Sequence, residues 1–151
     1  MIQHFYNRAV GWLSGSVAEG VMLLSVRAAL AGIFWRSGRT KVDEGSWFSI
    51  SDLTYDLFRD DYSGVPIPPD IAAVMATVSE HVFPLLLVLG LFTRLSALAL
   101  LGMTMVIQFY VFPEAWWPVH SLWVALALAL IVRGGGLISL DAQLARWTRA
   151  K

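Results

Sequence analysis

The chain has 151 residues, 57% of them hydrophobic and 15% charged, with a formal net charge of zero. A soluble domain carries about 25% charged residues, so this composition points to lipid, and the balanced charge offers no attraction for nucleic acid. The absence of cysteine excludes disulfides, thiol catalysis, iron–sulfur ligation and cysteine-based zinc sites.

In chain order, Phe5, Ala9 and Trp12 first mark a short amphipathic piece. An apolar stretch over residues 17–35 then predicts a transmembrane helix, since a span takes about 17–25 residues. Its run from Val21 to Val26 ends at Arg27 and falls short of the roughly 7–15 residues of a signal-peptide core, so this helix is expected to be retained. Between Ser37 and Asp70 lies a sizeable segment outside the spans. Within it Ile50, Leu53, Leu57 and Phe58 recur at helical spacing with Asp52, Asp56 and Asp60 between them. That pattern predicts an amphipathic helix from Ser51 to Asp61, with Leu53, Leu57 and Phe58 against the membrane or the bundle.

Pro68-Pro69-Asp70 opens a second span over residues 71–92, because proline is tolerated in a first helical turn. A third span covers 95–112 and a fourth 116–132, joined by turns so short that consecutive helices must be antiparallel neighbours. Neither the stretch from Leu95 to Ile107 nor that from Val124 to Val132 has the polar face of a soluble helix. Leu140, Leu144 and Trp147 form a last amphipathic piece. Ala28 with Gly32, and Ala125 with Ala129, are small-residue pairs that let helices approach closely within a bundle or a dimer. The expected fold is a single domain over residues 1–151, an all-α integral membrane four-helix bundle with an outer interfacial amphipathic helix.

Basic residues near the span ends set the expected orientation. Arg8, Arg94, Arg133, Arg146, Arg149 and Lys151 fall on one side, and Arg39, Lys41 and Arg59 on the other, with Arg36 at the border. Both termini are therefore expected in the cytoplasm and the acidic loop outside. Trp35, Trp47, Trp116 and Trp117 mark the outer interface, and Trp12 and Trp147 the inner one.

Ionisable groups within spans are costly and point to function. Arg27 lies about 12–15 Å from the inner end of its helix and Glu80 about 15–18 Å from the inner end of its own, at 1.5 Å per residue. Their matched depth predicts a buried pair, serving either as a pin for helix register or as a proton or ligand site such as a pocket for a quinone head. His81 follows Glu80, and Pro84 is expected to kink the second span and free a carbonyl. Gln108 suits an interhelical hydrogen bond or a place in the same pocket. Arg36 and His120 complete the candidate polar groups. His81 lies near mid-membrane and His120 near the outer end of its span, roughly 10 Å away along the normal, so neither bis-histidine haem nor a metal site of Glu80, His81 and His120 is expected. No catalytic residue is assigned.

Three stretches resemble the DoxX family. They are Arg27 followed by Gly32-Ile-Phe-Trp-Arg-Ser-Gly-Arg-Thr-Lys41, Ser79-Glu80 followed by Leu85-Leu-Leu-Val-Leu-Gly-Leu-Phe-Thr-Arg-Leu-Ser-Ala97, and Gly134-Gly-Gly-Leu-Ile-Ser-Leu-Asp-Ala142. The departure is Trp35-Arg36, where many members carry an aromatic residue and a histidine, so no role of that histidine passes to Arg36. The resemblance implies a four-helix protein of the bacterial inner membrane. The family's founding context is a subunit of a thiosulfate:quinone oxidoreductase, and other members are linked to oxidative and metal stress. It implies a non-catalytic membrane subunit of an oxidoreductase or stress system, with quinone as the candidate ligand and a protein partner or a second copy as the companion. A structural anchor for a soluble enzyme, or a small transporter or proton relay, are the alternatives.

Overall fold

In a computed structural model, residues 2–149 are described, and among them the chain is helical with no strand. Seven α-helices follow in order: α1 (Ile2–Leu13), α2 (Ser16–Arg39), α3 (Asp52–Asp60), α4 (Pro69–Leu89), α5 (Thr93–Tyr110), α6 (Ser121–Arg133) and α7 (Leu140–Arg149). A 3₁₀ turn, Pro113–Ala115, and a π-helical turn, Trp116–His120, lead into α6 and extend the fourth apolar stretch to Pro113–Arg133. That stretch, α2, α4 and α5 are each long and apolar enough to cross a membrane. Lys151, and the side chains of Phe5, Arg8 and Ala9, fall outside the described residues.

The four long helices alternate in direction and close a ring in which α2 packs on α4, α4 on α5, α5 on α6, and α6 on α2. Leu23, Leu30, Phe34, Leu87, Leu100 and Leu130 fill its centre, with Phe34 edge-on to Trp123 at 5.4 Å. The outside is equally apolar: Val78, Val82, Val88, Leu95, Leu98, Leu122 and Val132 are exposed. A soluble monomer rarely exposes so continuous an apolar surface, whereas a bilayer requires one. The protein is thus an all-α membrane bundle.

One end of the bundle, the terminal face, carries α1, the turn between α4 and α5, and α7. The other, the loop face, carries α3. Ser51 caps α3, its hydroxyl accepting from the Thr54 amide. The helix falls within the expected bounds, but its apolar residues divide. Phe58 and Thr54 are buried on the bundle and Leu53 is 77% exposed, so α3 is a cap anchored through Phe58. Ala28 and Gly32 are exposed and border a groove against Pro84, Leu85 and Val88 of α4. Pro84 lies within an α4 that runs unbroken to Leu89. It deprives the Glu80 carbonyl of its helical donor, and α2 packs tightly there: a Cβ at Gly38 would stand 3.0 Å from that oxygen. Only glycine allows this approach, which fixes the register of α2 against α4.

Candidate functional site

That register decides which polar residues meet. Gly38 lies opposite Glu80, and further along the same antiparallel pair Arg27 lies against Gly90, where a Cβ would overlap its Nη1. Glu80 and Gly90 are ten residues apart on α4, or about 15 Å. Arg27 and Glu80 therefore do not pair. Both are buried, at 1% and 2% exposure, but in two separate polar clusters.

The first cluster lies toward the loop face. Lys41 Nζ stands 2.6 Å from Glu80 Oε2, and the Ser37 hydroxyl donates to Glu80 Oε1 at 3.1 Å. Lys41 also donates to Ser37 Oγ at 3.0 Å, so the three side chains form one closed set. Lys41 lies two residues past the end of α2, where its amide donates to the Gly38 carbonyl at 3.0 Å and keeps it beside Ser37. The loop then holds Lys41 in place. Its carbonyl accepts from the Ser51 amide and the Thr54 hydroxyl, and the neighbouring Val42 bridges to Ile50.

A cavity of about 160 Å³ opens against this set. Lys41 and Glu80 supply its charged wall, Phe58 and Tyr62 cover it, and Met75 and Ala76 of α4 face Met103 and Val106 of α5. The Tyr62 ring stacks on Phe58 at 4.2 Å. Burial, with the nearby charges of Glu80 and Asp61, pushes the Tyr62 phenol up to about 12. It therefore keeps its proton and remains a hydrogen-bond donor.

The other candidates sit elsewhere. His81 Nδ1 lies 2.7 Å from the Thr77 carbonyl, a position that requires it to carry the proton, and its ring meets Trp35 edge-on at 5.2 Å. It lines the α2–α4 seam and not the cavity. Gln108 bridges the α5–α6 connection: its amide donates to the Pro113 carbonyl, and its oxygen lies 2.8 Å from His120 Nδ1. That is the hydrogen bond its position suggested, and His120 is committed to it. Arg36 is exposed on α2 and has no hydrogen bond or ion pair with a described residue. Among the described residues no group of three histidine or acidic side chains is placed to hold a metal.

The second cluster closes the terminal face. Arg27 Nη2 donates to the Ile138 carbonyl at 2.6 Å, fixing the glycine-rich turn after α6 against α2. Asp141, at the start of α7, accepts from the Phe92 and Thr93 amides at 2.8 and 2.9 Å. It thereby caps α5 from 48 residues away, a place where a carboxylate also complements the helix dipole. Gly90 ends α4 at φ +68° and Phe92 follows at φ +49°, so the turn is held in a conformation that a phenylalanine resists. Asp141 and Ser139 were part of the resemblance to a family ending but carried no predicted role.

This geometry assigns roles to residues at all three of the stretches that carried the resemblance: Arg27 and Lys41, Glu80 and Gly90, and Ser139 with Asp141. The comparisons agree. The DoxX family model matches residues 22–113. A Haemophilus influenzae protein described only as uncharacterized is 34% identical over 140 residues, covering 83% of this chain and 84% of that one. No solved structure matches. With its model spanning more than half of the sequence, the chain belongs to the DoxX family.

Proposed function

We propose that the protein is a quinone-binding inner-membrane subunit of an oxidoreductase system, and that the ring is held at Lys41, Glu80 and Tyr62. The observation that carries this reading is the cavity itself. Its volume of about 160 Å³ is close to the roughly 150 Å³ that accommodates a single six-membered ring in a protein core. Its walls are apolar except at one end, where the Tyr62 hydroxyl provides a donor for a carbonyl oxygen, the Lys41 ammonium a positive charge, and Glu80 a site for a proton. Met75 and Val106 are exposed on the apolar outside of the bundle, so an isoprenoid tail reaches lipid without crossing a polar layer. A bound quinone supplies two-electron, two-proton chemistry, with the electrons coming from a partner enzyme. Lys41 orients the ring and holds the Glu80 carboxylate, which exchanges a proton with it.

The test is binding of a benzoquinone with one isoprenoid unit to the purified protein, followed by quenching of tryptophan fluorescence. Saturable binding is expected, and Ala76→Trp, which fills the cavity from α4, is expected to weaken it by about tenfold or more while the fold persists. Equal binding by Ala76→Trp, or none by the unaltered protein, would overturn the assignment.

The same reading places both termini in the cytoplasm. By sequence, Arg8, Arg94, Arg133, Arg146, Arg149 and Lys151 flank the spans on the side of the termini, against Arg39, Lys41 and Arg59 on the side of the acidic loop, with Arg36 at the border. A phosphatase that is active only outside the cytoplasm is expected to be silent when fused after Lys151 and active when inserted near Gly45. The reverse pattern would invert the topology.

A further inference from the structure

The terminal face holds a second concavity, larger than the quinone cavity and of opposite character. It encloses about 690 Å³ between the start of α2, the start of α5, the glycine-rich turn and α7. Four arginines line it: Arg94, Arg133, Arg146 and Arg149. Its two acids are already engaged. Glu19 pairs with Arg133, at 2.7 Å from Nε, and Asp141 caps α5. Arg133 is consumed by that pair. The other three are not. Arg94 reaches only the Val132 carbonyl at 3.3 Å, Arg146 only the Leu137 carbonyl at 3.5 Å, and Arg149 has no partner among the described residues. Three guanidiniums with free donors thus converge on one groove, where four arginines against two carboxylates leave a net positive charge.

The rest of the lining says what kind of anion fits. Phe92, Leu95 and Leu137 border the groove and are 60%, 60% and 42% exposed. A free anion has no use for such residues, whereas acyl chains do. On α7, Leu144 and Trp147 are also exposed, which gives that helix the apolar side of one lying in the membrane interface. The groove therefore stands at head-group depth, with arginines at one end and exposed apolar side chains at the other.

We propose that this groove binds an acidic phospholipid, its phosphate held by Arg94, Arg146 and Arg149 and its chains lying along Phe92, Leu95 and Leu137. Guanidinium pairs with phosphate in a bidentate way, and basic pockets between helices at the cytoplasmic side suit such head groups. The site is independent of the quinone cavity, which opens near the other face.

The test uses the full chain, delipidated in neutral detergent, with native mass spectrometry of added phosphatidylglycerol and phosphatidylcholine. Phosphatidylglycerol is expected to bind about tenfold more tightly or better. The triple variant Arg94→Gln, Arg146→Gln, Arg149→Gln is expected to lose that preference. A control, Arg36→Gln, Arg39→Gln, Arg59→Gln, removes the same charge at the loop face and is expected to keep it. All six side chains lie at or near the surface, and thermal unfolding checks that each variant folds; if the triple variant does not, Arg149→Gln alone is expected to reduce the preference. Equal binding of the two lipids, loss of the preference in both triple variants, or displacement of the lipid by millimolar inorganic phosphate would overturn the proposal, the last by showing a site for free anions.

Discussion

Removing one member of the Lys41–Glu80 pair is expected to destabilise the protein by about 3–5 kcal/mol, because the other charge is left buried and unpaired. The two losses are not expected to be equal. Lys41 has a long flexible stem at the edge of the cavity, and its side chain is 9% exposed against 3% for Glu80. When Glu80 becomes leucine, the ammonium swings toward the loop face and water, so the cost falls at the lower end of the range. When Lys41 becomes methionine, the carboxylate is fixed within α4 with Ser37 as its remaining donor, and the cost falls at the upper end. The double variant Lys41→Met, Glu80→Leu is expected to be milder than either single change, since replacing a whole buried pair by apolar groups is close to neutral. The measurement is a double-mutant cycle on detergent unfolding. A parallel cycle on Arg27→Leu with Glu80→Leu is expected to be additive within about 0.5 kcal/mol, as suits groups that share no partner. Coupling in the second cycle with additivity in the first would reverse the assignment of partners.

Those two cycles also show where the sequence was readable. Span number, the α3 helix and the burial of both Arg27 and Glu80 followed from apolar run length, periodicity and the cost of charge in lipid. The pairing did not follow. Counting depth from span ends assumes that helices end flush, and here they are staggered. Gly38 sits opposite Glu80 and Arg27 opposite Gly90, so α2 extends past the end of α4 at the terminal face and α4 extends past α2 at the loop face. The signal for the true partner was present in Ser37, Gly38 and Lys41, a small residue between two polar ones at the spacing of one helical turn. It stood outside the expected first span, which stopped at residue 35, and Lys41 was therefore counted as a loop charge. Long-range partners such as Asp141 with the Phe92 and Thr93 amides leave no periodic trace, because a cap of 48 residues' separation depends on how the last helix folds back.

Asp141→Ala is expected to cost about 3 kcal/mol and to loosen the whole terminal face. Two hydrogen bonds from backbone amides to a carboxylate are lost together, each worth about 1.5–3 kcal/mol, and Thr93 is fully buried, so its amide finds no ready replacement. The charge also matters to Arg27, for which Asp141 is the neighbouring acid. Arg27 holds Ile138, and the Asp141 amide in turn donates to the Gly90 carbonyl at 2.9 Å, so the α4–α5 turn, the glycine-rich turn and α7 are tied into one unit. Phe92 at φ +49° stores about 1–3 kcal/mol of strain that this unit must restrain. Losing the carboxylate releases the strain and the tail at once. Hydrogen exchange is therefore expected to accelerate at Phe92, Thr93 and the amides of α7, and trypsin to cut after Arg146 faster than in the unaltered protein. Asp141→Asn, which keeps one acceptor oxygen but presents an amide to the other N–H, is expected to fall between the two. Unchanged exchange at Phe92 and Thr93 in Asp141→Ala would show that the turn holds its shape without the cap, and the tail would then be a passenger on the bundle.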